Sequence, residues 1–142
     1  MTDTTDWNTK IIAEFRANQG RVGGAFRGAP ITLVHHRGRK SGRDFVSPMM
    51  YLPNEDDPAT IYVFASKAGG PTNPDWYYNL KSAGKAQVEV ATQTYEVNVS
   101  ELAGQERDDV YDKQAGRYPG FAQYATKTAG IRTIPVLALR RI

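Results

Sequence analysis

The chain reads as a mainly β protein with added helices (α+β), built as a small antiparallel barrel or strongly bent sheet. Two observations predict this. About six short strand-like segments follow one another, with helical stretches only at the start, in the middle and before the last strand. No regular crossover helix separates them, which argues against a doubly wound parallel sheet and for a closed or bent antiparallel one.

Each element has its own local reason. Trp7, Ile11 and Phe15 recur every four residues with Ile12 beside them, one apolar face of a helix for which Thr5 or Asp6 is the available cap. The four glycines of the stretch 20–28 end that pattern, so residues 1–28 read as a helix with a Gly-rich connection and 29–142 as the body of the fold. Ile31 to Val34 is apolar and partly β-branched. The strand pattern resumes from Arg43 to Leu52, where Pro48 marks an edge, a bulge or a bend. After a polar loop, Ile61 to Ala65 is continuously apolar and reads as a strand buried on both faces. Asn73-Pro74-Asp75 reads as a helix start, with Asn73 as N-cap, Pro74 at the first helical position, and Gly84 as the stop. Val88 and Val90, then Tyr95, Val97 and Val99, alternate with polar residues and predict a hairpin around Thr92-Gln93. Gln105 to Arg117 is polar and helical, Phe121 to Lys127 is a further helical stretch, and Ile134 to Leu139 is the last strand.

Composition narrows the function classes. A chain of 142 residues favours one domain with one sizeable core. It has no cysteine, which excludes disulfides, cysteine-held iron–sulfur clusters and thiol catalysis. A net charge of +3 is too small for a general nucleic-acid binder. No apolar run reaches the roughly 20 residues that span a bilayer. The start, Met1 to Asp6, is polar and acidic, unlike a signal peptide, so the expected compartment is the cytoplasm. His35 and His36 are adjacent on a strand and point to opposite faces, which makes a shared metal site unexpected.

Four constellations carry possible chemistry. Gly38-Arg39-Lys40-Ser41-Gly42-Arg43 lies between two strands. It reads either as a solvated basic turn or as an anion site, in which backbone amides and forked guanidinium groups meet phosphate or carboxylate. Its glycine spacing is not that of a Walker A loop. Ser66-Lys67-Ala68-Gly69-Gly70, at the end of the buried strand, reads either as a hairpin-type loop or as a second polar ligand site. Trp76-Tyr77-Tyr78 on one short helix cannot all face one core, so part of that helix is free to wall a flat ligand. Tyr118, Phe121 and Tyr124 recur every three residues and form either a core stripe or an aromatic cluster with two hydroxyls.

Taken in order, these segments resemble the deazaflavin-dependent nitroreductase family, also described as quinone reductases using coenzyme F-420. The resemblance rests on Gly-Arg-Lys-Ser-Gly at 38–42, Ser-Pro-Met-Met-Tyr-Leu at 47–52 and Ala-Ser-Lys-Ala-Gly-Gly at 65–70. It continues through Asn-Pro-Asp-Trp-Tyr-Tyr-Asn-Leu at 73–80, Tyr-Pro-Gly-Phe-Ala-Gln-Tyr at 118–124 and Arg-Thr-Ile-Pro-Val at 132–136. It implies a split β-barrel of the flavin-reductase type with about six mostly antiparallel strands. It also implies a cofactor whose tail carries a phosphodiester and several glutamates, which would account for Arg37, Arg39, Lys40 and Arg43 in one turn.

By the same resemblance, cofactor contacts are expected from His35, Arg39, Lys40, Ser41, Gly42, Arg43, Met50, Tyr51, Ala65, Ser66, Lys67, Asp75, Trp76, Tyr77 and Asn79. Tyr118, Tyr124 and Ser66 are the expected catalytic residues, and Phe121 with Trp76 the substrate pocket. Phe121 stands where some relatives carry tyrosine, and Asp75 where some carry methionine. The implied reaction moves hydride from the reduced deazaflavin to a small electron-poor acceptor: a quinone, an activated enone, an unsaturated lactone of the coumarin or aflatoxin kind, or a nitroaromatic. The alternatives are an oxidoreductase using flavin mononucleotide (FMN) on the same barrel and a non-catalytic deazaflavin carrier. As partners the sequence leaves a monomer or a homodimer, with at most peripheral membrane contact through the N-terminal helix.

Overall fold

The computed structural model describes residues 4–142. Six antiparallel strands close into a barrel in the order β1-β2-β3-β6-β5-β4. They are β1 (Ile31–Arg37), β2 (Asp44–Pro53), β3 (Thr60–Phe64), β4 (Lys85–Val90), β5 (Gln93–Glu101) and β6 (Val136–Arg141). Helix α1 (Thr4–Ala17) precedes the barrel, α2 (Asp75–Ala83) follows β3, and α3 (Gly104–Arg117) with α4 (Pro119–Thr128) precedes β6. No helix among the described residues is long and apolar enough to cross a membrane.

Strand alternation sorts the apolar residues into one interior and two outer layers. Val34, Val63, Val88, Val97, Leu137 and Leu139 point into the barrel, where Leu80 of α2 joins them; all seven are fully buried. On one outer face Leu52, Tyr62, Phe64 and Val136 pack under Tyr111 of α3 and Phe121 of α4. On the other, Ile31 and Leu33 meet Ile11 and Phe15 of α1 and Val22 of the connection. β3 is buried along its whole length because it has the barrel interior on one side and α3–α4 on the other. At roughly 1.5–3 kcal/mol per buried aliphatic or aromatic side chain, these layers are the main stabilising term.

The local signals locate the elements and the structure moves some details. β2 pairs with β1 from Asp44 to Met50 and with β3 only from Tyr51 to Pro53, so Pro48 lies in a stretch with no β3 neighbour, as a proline in a strand requires. The hairpin turn is Ala91-Thr92, closed by the Val90–Gln93 pair, one residue earlier than expected. Helix α2 starts at Asp75 with Pro74 in the cap position, and Asn73 makes no side-chain cap. Its amide oxygen instead accepts a hydrogen bond from Arg132 Nη1 at 2.7 Å. Tyr118 ends α3 and Pro119 opens α4 directly, so a single residue separates the two helices.

Ile11 and Phe15 are buried as the periodicity predicts, whereas Trp7 is 43% exposed and only tilts against Phe26. The side chains of Thr5 and Asp6, the expected caps, lie outside the described residues. The end of α1 is held by Arg16, which donates through Nε and Nη2 to the Glu89 carboxylate at 3.1 and 2.8 Å. Gly20 then passes over the hairpin turn: a Cβ there would lie 2.6 Å from Ala91 Cα, and its φ of +93° favours glycine independently.

One buried polar group stands apart. Gln114 of α3 is fully buried, and among the described residues neither its amide oxygen nor its nitrogen has a hydrogen-bond partner. Gln114→Met keeps the volume and removes the desolvated amide. It is expected to stabilise the fold by about 1–2 kcal/mol, read as a higher urea midpoint with an unchanged slope.

Candidate functional site: a basic cleft at the end of the barrel

The β1–β2 connection folds into a tight turn. Gly38 N–H donates to Arg43 O at 2.8 Å, Gly42 N–H to Gly38 O at 2.9 Å, and Arg43 N–H to Ser41 Oγ at 3.2 Å. Arg39 N–H donates across to Asn79 Oδ1 of α2 at 3.0 Å. With these four amides engaged inside the protein, a ligand meets mainly the side chains of this turn, not a ring of free amides. Arg39 stacks its guanidinium 4.7 Å from the centre of the Tyr78 ring, which holds it outward, and Arg43 lies 5.7 Å from that of Phe45. Among the described residues neither Arg39 nor Lys40 makes an ion pair, whereas Arg37 is paired with Asp44.

These residues line a cleft of about 590 Å³ between the turn, the outer end of β1–β2 and the start of α2. Its walls include His36, Arg39, Lys40, Ser41, Ser47, Asp75, Trp76 and Asn79, with Asn8 of α1 at its edge. Asp75 is the one carboxylate among them, so the cleft is cationic at the turn and acidic at the α2 start. A larger hollow, about 790 Å³, lies along Gly20 to Pro30, but among the described residues no aromatic ring lines it.

A second group forms around the turn after β3. Lys67, Ala68 and Gly69 have φ of 47°, 52° and 78°, three successive left-handed residues of which only the last is glycine. Such backbone costs roughly 1–3 kcal/mol per non-glycine residue and persists only where its surroundings impose it. Arg132 imposes it. Its guanidinium donates to Gly70 O (3.0 Å), Ala65 O (3.1 Å), Ser66 O (2.9 Å) and Asn73 Oδ1 (2.7 Å). Helix α4 closes the other side so tightly that a Cβ on Gly69 would lie 2.9 Å from Lys127 Cδ and 3.4 Å from Tyr124 Cα. Lys67 Nζ donates to Thr72 Oγ1 at 3.0 Å.

The structure therefore brings Arg39, Lys40, Ser41, Asp75, Trp76 and Asn79 to one cleft, and Ser66, Lys67 and Tyr124 to a second cluster reached past the start of α2. Gly42 lies on the rim of the basic turn. Tyr118 stands at the α3–α4 junction and, with Tyr124, packs partly buried against the outer layer.

Several of the expected contact residues lie away from the cleft or are engaged within the protein. His35 is turned away from the cleft and bonded to Glu89 Oε2 at 2.7 Å; the alternation of β1 gives the cleft His36 instead. Ala65 is fully buried, with its carbonyl taken by Arg132 and its amide by Pro135 O. Tyr77 donates to Glu101 Oε1 at 2.6 Å beside Lys81, and burial together with that carboxylate pushes its phenol up to about 12. Phe121 is buried, its ring centre 5.6 Å from Phe64 and 5.3 Å from Tyr124, and packs with the outer core layer. Asn79 lines the cleft, is buried, and braces Arg39 and His36 through its amide. Tyr51 packs with the barrel interior and Met50 between the two outer layers; neither lines the cleft.

Sequence reasoning missed His36, Ser47 and Arg132 as site residues. The strand period in His35–His36 marks which histidine shares a face with Val34, but not which face meets the cleft. Arg132 heads the Arg-Thr-Ile-Pro-Val motif, but nothing in that motif shows that its side chain reaches the turn after β3.

The family model for F420H(2)-dependent quinone reductases matches residues 7–141. The chain belongs to that family. Its cofactor is accordingly the deazaflavin coenzyme F-420. An F420H(2)-dependent quinone reductase of Mycobacterium tuberculosis is 29% identical over 136 residues, covering 91% of this chain and 86% of that protein. A solved F420-H2 dependent reductase superposes with a TM-score of 0.68 at 32% identity, covering 78% of this chain and 94% of the other. A structure described as a domain-swapped dimer gives 0.69 at 31% identity over 97% of this chain and all of its own.

The donor set fits such a coenzyme. Two cations without ion-pair partners among the described residues, aimed from one turn, match a polyanionic tail, and the Trp76 wall beside them matches a flat ring system.

Proposed function

We propose that this protein is a cytoplasmic reductase that passes hydride from reduced coenzyme F-420 to quinones and, on the same site, to activated enones, unsaturated lactones and nitroaromatics. The observation that carries the reading is the Arg39–Lys40 couple, without ion pairs among the described residues, facing a 590 Å³ cleft in a chain of this family. When bound, the coenzyme supplies the hydride. The chain's own residues bind, orient and supply protons. Arg39, Lys40 and Ser41 hold the anionic tail, with Gly42 and Arg43 at the rim, and Trp76 and Asp75 border the inner part of the cleft. Lys67 and Ser66 hold the inner part of the ligand from the second turn. The phenolic hydroxyls of Tyr124 and Tyr118 are the proposed donors to the oxygen on which negative charge develops in the acceptor.

The test is a titration of the protein with coenzyme F-420 and, separately, with FMN, followed by anaerobic addition of menadione to the reduced complex. Micromolar or tighter deazaflavin binding with menadione-dependent oxidation is expected. Binding without oxidation by any acceptor class would make the protein a carrier, and preference for FMN would overturn the cofactor. A homodimer is the proposed assembly in solution; the structural neighbour described as a domain-swapped dimer supports it, and light scattering decides it.

A further inference from the structure

Helix α1 is held to the barrel through its side chains. Among the described residues no backbone hydrogen bond joins it to a strand. Ile11 and Phe15 fill an apolar groove over Ile31 and Leu33. Arg16 forks onto the Glu89 carboxylate with both hydrogen bonds in good geometry. Asn8 reaches the edge of the basic cleft. The helix is a plug that matches its groove in apolarity and in charge.

The segment between plug and barrel has the properties of a hinge. It runs back along the helix, with Gly23 against Glu14 and Phe26 against Trp7. As far as Gly23 it belongs to the plug: Val22 shares the apolar layer, and Gly23 N–H donates to Glu14 Oε1 at 2.7 Å. Beyond that point Gly24 and Gly28 take left-handed φ of +60° and +79°, yet a Cβ at either would meet nothing within 4 Å. These two glycines serve the turn of the chain, not close packing. The hollow of about 790 Å³ lies between this stretch and the end of α1, and Phe26 is its apolar anchor. Ala29 precedes Pro30, which biases it to extended backbone. Straightened, residues 24–30 reach at most about 25 Å. A plug on such a hinge enters its own groove or that of a second copy. Its contacts are the same in both, so the hinge decides: folding back needs two left-handed residues, while the extended path leads to a neighbour.

We propose that in the homodimer of this protein each α1 crosses to the other barrel, so that each basic cleft is completed at its edge by the partner's Asn8. This rests on the homodimer reading given above. The exchanged segment runs to Gly23, and residues 24–30 are the hinge. The Arg16–Glu89 fork then joins two chains, and a two-fold axis repeats it, so one assembly carries two such joints.

The chain has no cysteine, so a pair placed across the joint reacts without background. Arg16→Cys with Glu89→Cys is treated with a short bismaleimide and run on a denaturing gel. Exchange gives a band at twice the chain mass; closure within one chain gives a band at the chain mass. Charge reversal is the second arm. Arg16→Glu and Glu89→Arg each set like charges at the joint. When the two variants are refolded together in equal amounts, exchange pairs the α1 of each with the barrel of the other and restores opposite charges at both joints. Native mass spectrometry is then expected to show heterodimer in at least about tenfold excess over a statistical mixture. His35, bonded to Glu89 from the barrel side, contributes equally to mixed and unmixed dimers and cancels. Inserting about six Gly-Ser residues after Gly28 lets each plug reach its own groove, and should raise the dimer dissociation constant about tenfold or more. A single-chain cross-linked band, a statistical mixture or an insertion without effect, in a protein that light scattering finds dimeric, overturns the exchange and leaves the homodimer standing. A wild type that stays monomeric overturns both.

Discussion

Arg132→Ala is expected to destabilise the fold by about 2–4 kcal/mol and to weaken coenzyme binding at the same time. One guanidinium supplies four hydrogen bonds to the segment 65–73, three of them to main-chain carbonyls. Removing it leaves those carbonyls short of a charged donor and releases the left-handed backbone of Lys67 and Ala68 from its restraint. Arg132→Lys should recover little, because a single ammonium cannot span the positions that the planar fork reaches. The decisive variant is Ala68→Gly in the Arg132→Lys background. Glycine adopts φ near +52° without the Cβ penalty, so it should return roughly 1 kcal/mol of stability and part of the binding. Urea denaturation and coenzyme titration read both quantities. If Arg132→Ala unfolds at the wild-type midpoint, or if Ala68→Gly returns nothing, the clamp does not hold the turn.

Arg39→Ala combined with Lys40→Ala is expected to raise the coenzyme dissociation constant about 100-fold or more while leaving stability close to wild type. Both side chains are largely solvent-facing and make no ion pair among the described residues; the stacking of Arg39 on Tyr78 is worth under about 1 kcal/mol at an exposed site. Each charged contact to a phosphate or carboxylate contributes roughly 1.5–3 kcal/mol, so losing two leaves a large defect in binding and almost none in folding. Affinity of the wild type should fall with added salt, and the double variant should lose most of that dependence. An unchanged dissociation constant would remove the tail from this turn altogether.

Much of the fold was legible in local pattern. The period of Ile11 and Phe15, the unbroken apolar run of β3, the alternation in β4 and β5 and the prolines at 48, 74 and 119 located the helices and strands to within a few residues, because each reflects a rule acting over a handful of neighbours. The basic turn was legible for the same reason, as a run of cations between glycines. The aromatic segments were less so. Trp76, Tyr77 and Tyr78 share one helix, yet the first walls the cleft, the second turns to Glu101, and the third lies under Arg39. Phe121 and Tyr124 share α4, yet the first is core and the second covers Gly69.

What the sequence by itself determined is the inventory: which segments are strands, which residues bear charge, and which motifs assign the chain to a deazaflavin-dependent family. What only the tertiary structure decided is which of two adjacent histidines meets the cleft, which amide of the α2 start braces it, and which distant arginine holds the strained turn. The physical reason is the range of the interactions. Periodicity and turn chemistry act across a few residues, whereas the contacts that orient this site join Arg39 to Asn79 and Arg132 to Ser66, separations of 40 and 66 residues that exist only once the barrel has closed.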